Sequence, residues 1–159
     1  MGSERIYVDD PRKPDVRVLL ERHLTFALST TPPEHSFALD VDGLLDPAIT
    51  FFSIRAGGEL LGIGAIKQLD HGHAEIKSMH TAQAARGRGV GRAMLNHLLA
   101  VARSRGYARV SLETGTMEEF APARAMYSSA GFTACGPFAD YRPSADNYFM
   151  TLALRYRLE

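Results

Sequence analysis

The chain of 159 residues has one cysteine, Cys135, no tryptophan, and no excess of either charge, its 18 lysines and arginines being matched by 18 aspartates and glutamates. A lone cysteine excludes an intramolecular disulfide and any CxxC pair for zinc or thiol redox chemistry, and it suits a reducing compartment. Balanced charge, with a pI near 7.0, removes the global electrostatic ground for nucleic acid or an anionic membrane as partner. Long hydrophobic runs are missing too: the richest apolar stretch, residues 93–102, is broken by Asn96 and His97, so no membrane span is expected. Glu4, Arg5, Asp9 and Asp10 stand where a secretory signal would place its apolar core, and Ile6 occupies the position at which a Met1-Gly2 myristoylation signal needs Ser or Thr. A cytoplasmic protein is the expectation. Low-complexity tails and internal repeats are absent, and with 45% hydrophobic residues the length suits one domain over 1–159 with its own core.

One absence is local. Residues 77–111 contain no Asp or Glu, whereas Lys77, Arg86, Arg88, Arg92, Arg103, Arg105 and Arg109 all fall there. Arg103 and Arg105 suit the negative end of a helix dipole. The loop arginines require another reason.

Residues 6–8 predict a short strand, and Pro11 and Pro14 a turn. Val16, Leu19, Leu20, His23, Leu24, Ala27 and Leu28 recur at helical spacing, and Pro32-Pro33 stops that helix because consecutive prolines remove donors and fix φ. Residues 34–47 read as a helical turn and loop. Strands are expected at 50–56 and 59–68, joined by the tight turn Gly57-Gly58. After Asp70-His71-Gly72 a third strand runs over 73–81, whose alternation would place Glu75, Lys77, Met79 and Thr81 on one face. Residues 90–105 form the most secure helix, with Met94, Leu95, Leu98, Val101 and Ala102 inward and Gly106 as its stop. A strand at 108–114, a helix at 120–130 with Pro122 in its first turn and Gly131 at its end, and strands at 132–136 and 148–154 follow. The order describes a mixed α/β sheet.

Ala84-Ala85-Arg86-Gly87-Arg88-Gly89-Val90-Gly91 connects a strand to the strongest helix. Orphan N–H groups and the positive dipole end make such a junction an anion site, and glycines let the backbone approach a phosphate closely. A P-loop needs Lys-Ser or Lys-Thr after its last glycine, but Arg92-Ala93 stands there; a dinucleotide fingerprint needs a third glycine near Arg92 or Met94 and an acid about 20 residues on, inside the acid-free region. Both motifs fail. Arg86, Gly89 and Gly91 instead resemble the Gln/Arg-x-x-Gly-x-Gly/Ala signature of the GNAT N-acetyltransferase superfamily. The resemblance extends over the preceding strand, residues 75–81, and over Ala-x-x-Met-Tyr-x-x-x-Gly-Phe from Ala123 to Phe132. It implies an α/β (α+β) fold with a single mixed, mostly antiparallel sheet flanked by helices, and acetyl-CoA as acyl donor without a metal. On the family's pattern the main-chain N–H groups from Arg86 through Gly87, Arg88, Gly89 and Val90 to Gly91, with Arg92 beside them, hold the cofactor's pyrophosphate. Met79, His80 and Thr81 lie along its pantetheine arm, with Met79 and Thr81 pairing through their backbones. The family often has Asn three residues before the matching Ala123; this chain has Phe120.

Acetyl transfer to an amine needs a base, an oxyanion donor and a proton for the leaving thiolate. The resemblance puts Tyr127 near the thioester sulfur as that proton donor. Glu75 matches a position where some relatives carry the base, and Glu113, near the end of the next strand, is an alternative. A bulge at Met79 would free its N–H for the oxyanion. The implied acceptor is a primary amine of a small molecule, acetylated directly in a ternary complex; a protein or peptide terminus, or a non-catalytic acyl-CoA sensor, are the alternatives. Residues 30–42 and the first helix are expected to wall the acceptor. His71-x-His73 lacks a partnering ligand motif and reads as a polar turn, Cys135 as a small buried hydrophobe, and His23 as a helix residue. Phe138, Tyr141 and Tyr148 suit either a homodimer contact or the core.

Overall fold

The computed structural model describes residues 4–30 and 39–154. Strand β1 (Glu4–Val8) is followed by helix α1 (Pro14–Thr30), the short helix α2 (Val41–Leu44), and strands β2 (Ile49–Ala56), β3 (Glu59–Gln68) and β4 (His73–Thr81). Helix α3 (Val90–Ser104), β5 (Arg109–Gly115), α4 (Ala121–Ser129), β6 (Thr133–Cys135) and β7 (Asn147–Ala153) complete the order. The seven strands among the described residues form one sheet in the order β1-β2-β3-β4-β5-β7-β6. All neighbours are antiparallel except β4 and β5, which run parallel. The expected mixed, mostly antiparallel sheet flanked by helices is the one observed.

Strand alternation divides the apolar side chains between two faces. On one, Val16, Leu19 and Leu20 of α1 and Leu44 of α2 pack on Phe51, Ile63 and Ala65. On the other, Met94, Leu95, Leu98 and Leu99 of α3 and Tyr127 of α4 cover Ile54, Ile66, Ile76, Leu112 and Met150. Leu99 is buried where the helical period suggested Val101, which is only partly so. A Cβ at Gly64 would lie 2.7 Å from Met94 Cγ, so α3 can settle on β3 only because no side chain stands there.

Two irregularities shape the middle of the sheet. β4 pairs with β5 only from His73 to Ile76 against Arg109 to Leu112; beyond that the strands part, and β5 continues to Gly115 alongside β7. In the β3–β4 ladder, Ile63 faces His80 and Ala65 faces Lys77, so Ser78 and Met79 together oppose Gly64. This is a β-bulge, and Ser78 has a positive φ of 56°. The bulge corrects the strand's simple alternation. Glu75 and Lys77 share a face, but Met79 turns to the α3 layer, where its Sδ would be 3.1 Å from a Cβ on Gly64, and Thr81 Oγ1 lies close to Gly91 in that layer.

Other departures are smaller. The helix expected at 120–130 is preceded by a tighter turn at Glu118–Phe120, and α4 proper begins at Ala121 because Pro122 fits only a first turn. Cys135 ends the short edge strand β6 and is half-buried, not a core residue. Phe138 and Tyr141 stack edge to face, 5.0 Å between centroids, and both lie against Phe149 of their own chain; their aromatic surface is used internally. Residues 31–38, the middle of the expected acceptor wall, lie outside the described residues. No helix among the described residues is long and apolar enough to cross a membrane.

Candidate active site

The parting of β4 from β5 opens the sheet, and a cleft lies on each side of the divergent end of β4. One, of about 440 Å³, is walled by α1, Leu39, β4, β5 and the start of α4. The other, of about 430 Å³, is walled by β3, β4, the glycine loop, α3 and α4. Met79, His80, Thr81, Arg86, Pro122, Ala123 and Tyr127 line both.

At the second cleft the loop has the conformation its composition demands. Gly87 and Gly89 both have φ of 78°, and a Cβ on either would meet nothing within 4 Å. The need for glycine there is therefore conformational. Gly89 caps α3 without a side-chain hydrogen bond, so no capping side chain takes the place of an anion at this helix entrance. Arg86 is exposed and lines both clefts. Arg88 reaches Glu4 at 3.9 Å, and Arg92 donates to Ser129 Oγ.

The first cleft gathers the titratable groups. Tyr127 is 6% exposed, and burial, reinforced by the Glu113 charge, lifts its phenol well above the ordinary tyrosine range. It stays protonated at any physiological pH. Burial also raises the Glu113 carboxyl, opposed by the Asn147 amide that donates to Oε2 at 2.9 Å and by the charge of Lys77. Glu75 is held differently: the Tyr141 hydroxyl donates to its Oε2, and Lys77 Nζ stands 3.1 Å from the same oxygen and 2.8 Å from Tyr141 Oη. Desolvation and the neighbouring Glu75 charge raise Tyr141 strongly. The bulge leaves Met79 beside this cluster at the point where the strands separate.

Three participants escape sequence reasoning. His23 Nδ1 lies 3.2 Å from His80 Nδ1 across the first cleft. Burial brings both imidazoles down to about 4, so at neutral pH both are uncharged and one Nδ1–H donates to the other nitrogen. His23 is thus a cleft residue, and the 57 positions between the partners hide the pair from any local pattern. Tyr141 sits in the irregular segment 136–146, which offers no period to read. Ser78 lines the first cleft, and its bulge carries no glycine to announce it. Phe120, the departure from the family pattern, lies across Gly115, where a Cβ would be 2.2 Å from its Cδ2, and edge-on to Phe26 at 5.2 Å. It gives the cleft an apolar wall in place of an amide. His73 Nε2 is engaged with Ser111 Oγ at 2.6 Å, consistent with a polar turn and strand end.

The model of the Acetyltransferase (GNAT) family matches residues 14–132. The chain belongs to the GNAT family. It is accordingly an acetyl-CoA-dependent N-acetyltransferase. The uncharacterized N-acetyltransferase YsnE of Bacillus subtilis is 45% identical over 149 residues, covering 94% of this chain and 99% of the relative. The IAA acetyltransferase of Azospirillum brasilense is 33% identical, covering 94% and 97%. Among solved structures, a putative acyl-CoA N-acyltransferase from Klebsiella pneumoniae aligns with a TM-score of 0.75 at 27% identity, over 96% of this chain and 98% of that one. A GNAT acetyltransferase of Elizabethkingia anophelis, crystallised with acetyl-CoA, shares the fold with a TM-score of 0.67 at 15% identity, over 95% and 98%. This GNAT chain suits the same donor on its own geometry. It has a glycine loop with open space above it at a helix entrance, and beside it a strand whose main chain lacks a β5 partner after Ile76.

Proposed function

We propose that the enzyme moves the acetyl group of acetyl-CoA to a primary amine of a small molecule by direct transfer in a ternary complex. The donor occupies the loop-side cleft and the acceptor the cleft beneath α1. The observation that carries this reading is the position of Tyr127, which lines both clefts at the gap between β4 and β5. A single chemical step there needs no movement of an acyl group between sites. The acceptor cleft, at about 440 Å³, has the size of a metabolite site, with Phe26, Leu39 and Phe120 for an apolar body and carboxylates for an amine. The relative named IAA acetyltransferase, a small-molecule case, points the same way.

In this scheme the loop N–H groups from Arg86 to Gly91 bind the diphosphate, with Arg92 flanking them, and the main chain at Met79 and Thr81 holds the pantetheine amides beside His80. Glu113 takes the amine proton: burial raises the proton affinity of its carboxylate, while Glu75 is already engaged by Lys77 and Tyr141. Met79 N–H receives the oxyanion, and Tyr127 protonates the departing thiolate. Thiol release from acetyl-CoA, followed across a panel of small amines, should rise at least about tenfold over hydrolysis with one of them. Acceleration by peptide termini alone would overturn the small-molecule assignment.

The loop assignment has its own test. Gly89→Val forces a β-branched residue to a φ of 78°, so the loop must shift and acetyl-CoA affinity should fall by more than about tenfold in calorimetry. Wild-type affinity in that variant would refute the assignment.

A further inference from the structure

Ser78 bears two costs that nothing among the described residues offsets. It is 9% exposed, and its Oγ is buried without a hydrogen-bond partner among the described residues. Buried hydroxyls almost always find partners, because leaving one unsatisfied forfeits its hydration. Its backbone also has a φ of 56°, a conformation for which a bulge ordinarily recruits glycine. Glycine would remove both penalties at once. A serine here is explained by a hydrogen bond completed only when a ligand is present.

The location says which ligand atom. Ser78 lines the acceptor cleft together with Glu113 and Tyr127, and it immediately precedes Met79 in the bulge, after the last β4–β5 pair at Ile76. The base and the acid are already supplied from β5 and α4, whereas the oxyanion has only one main-chain donor. We propose that the Ser78 hydroxyl is a second oxyanion donor, acting beside Met79 N–H. The inference rests on the acyl-transfer reading above. The amine nitrogen lone pair forms the C–N bond at the thioester carbon, and the carbonyl π pair moves onto oxygen, where Ser78 Oγ–H and Met79 N–H each donate a hydrogen bond. Glu113 takes a proton from nitrogen. Collapse restores the carbonyl, the C–S pair leaves on sulfur, and sulfur takes the Tyr127 proton; proton exchange with solvent then resets Glu113 and Tyr127.

Hydroxylamine and water serve as probe nucleophiles, because the oxyanion forms with either. In Ser78→Ala and Ser78→Gly, kcat for acetyl transfer to hydroxylamine should fall about 100-fold, the scale of losing one oxyanion donor. Hydrolysis of acetyl-CoA without amine should fall by a similar factor. KM for hydroxylamine and CoA affinity should stay within about twofold. Ser78→Gly, relieved of the positive φ, should melt no lower than the wild type, which separates the chemical loss from unfolding. Hydrolysis at the wild-type rate in both variants would overturn the proposal, and a raised hydroxylamine KM with unchanged kcat would make Ser78 an amine-positioning residue instead. Failure of every amine with the wild type would sink the amine-transfer reading, while the hydrolysis comparison would still decide the role of Ser78.

Discussion

Tyr127→Phe is expected to lower kcat about 100-fold while acetyl-CoA affinity changes by less than about twofold. The phenol is buried, lines both clefts, and is held protonated by desolvation and by the charge of Glu113. A group in that state cannot act as a base at neutral pH, but it can give a proton to a thiolate as the C–S bond breaks. The substitution removes one oxygen and keeps the ring, including its edge-to-face contact with Phe132 at 5.9 Å. Packing and melting temperature should therefore be nearly unchanged. Steady-state kinetics with the best amine from the panel provide the measurement, and a kcat within twofold of wild type would retire the acid role.

Glu113→Gln should cost about 100- to 1,000-fold in kcat and reshape the pH profile. A base works only when deprotonated, so wild-type activity should decline as pH falls through the Glu113 pKa. Because burial raises that pKa, the limb should lie above the ordinary carboxylate range, and the Gln variant should lose it. Stability runs the other way. A carboxyl whose folded pKa is raised favours the fold below its unfolded pKa and loses that contribution as pH rises through the folded one. Above its raised pKa the ionised, half-buried Glu113 is a burden that Gln removes, while the Gln carbonyl can still accept from Asn147. The variant should thus melt at or above the wild-type temperature. Profiles of kcat/KM from pH 5 to 9 with matched melting curves test both halves; an acidic limb that survives in Glu113→Gln would move the base elsewhere, with Glu75 next in line.

Much of the scaffold was legible because its signals are local. The apolar period of 90–104, the Gly57-Gly58 turn, the stops at Gly106 and Gly131, and the glycine loop each depend on residues within a few positions of one another. Positive φ at Gly57, Gly58, Gly87, Gly89, Gly106 and Gly131 is a conformation that glycine adopts without the penalty a Cβ brings. The loop's order between a strand and a helix was enough to suggest a diphosphate site and the family.

The interior of the cleft beneath α1 was not legible, since its contacts join residues far apart along the chain. His23 meets His80 across 57 positions, and Tyr141 reaches Glu75 across 66. The bulge at Ser78 turned Met79 and Thr81 away from the face shared by Glu75 and Lys77, because one extra residue in a ladder reverses the alternation beyond it. Phe120 became a wall only by lying on Gly115 and Phe26.

The amino-acid order by itself determined the elements, the strand-to-helix glycine loop and the chemical types available, since these follow from backbone preferences and short-range periodicity. Only the tertiary structure decided that Glu75 is engaged by Lys77 and Tyr141 while Glu113 meets the Asn147 amide, and where β4 leaves β5. Burial and long-range pairing set proton affinity and access, and neither exists until distant segments are packed together.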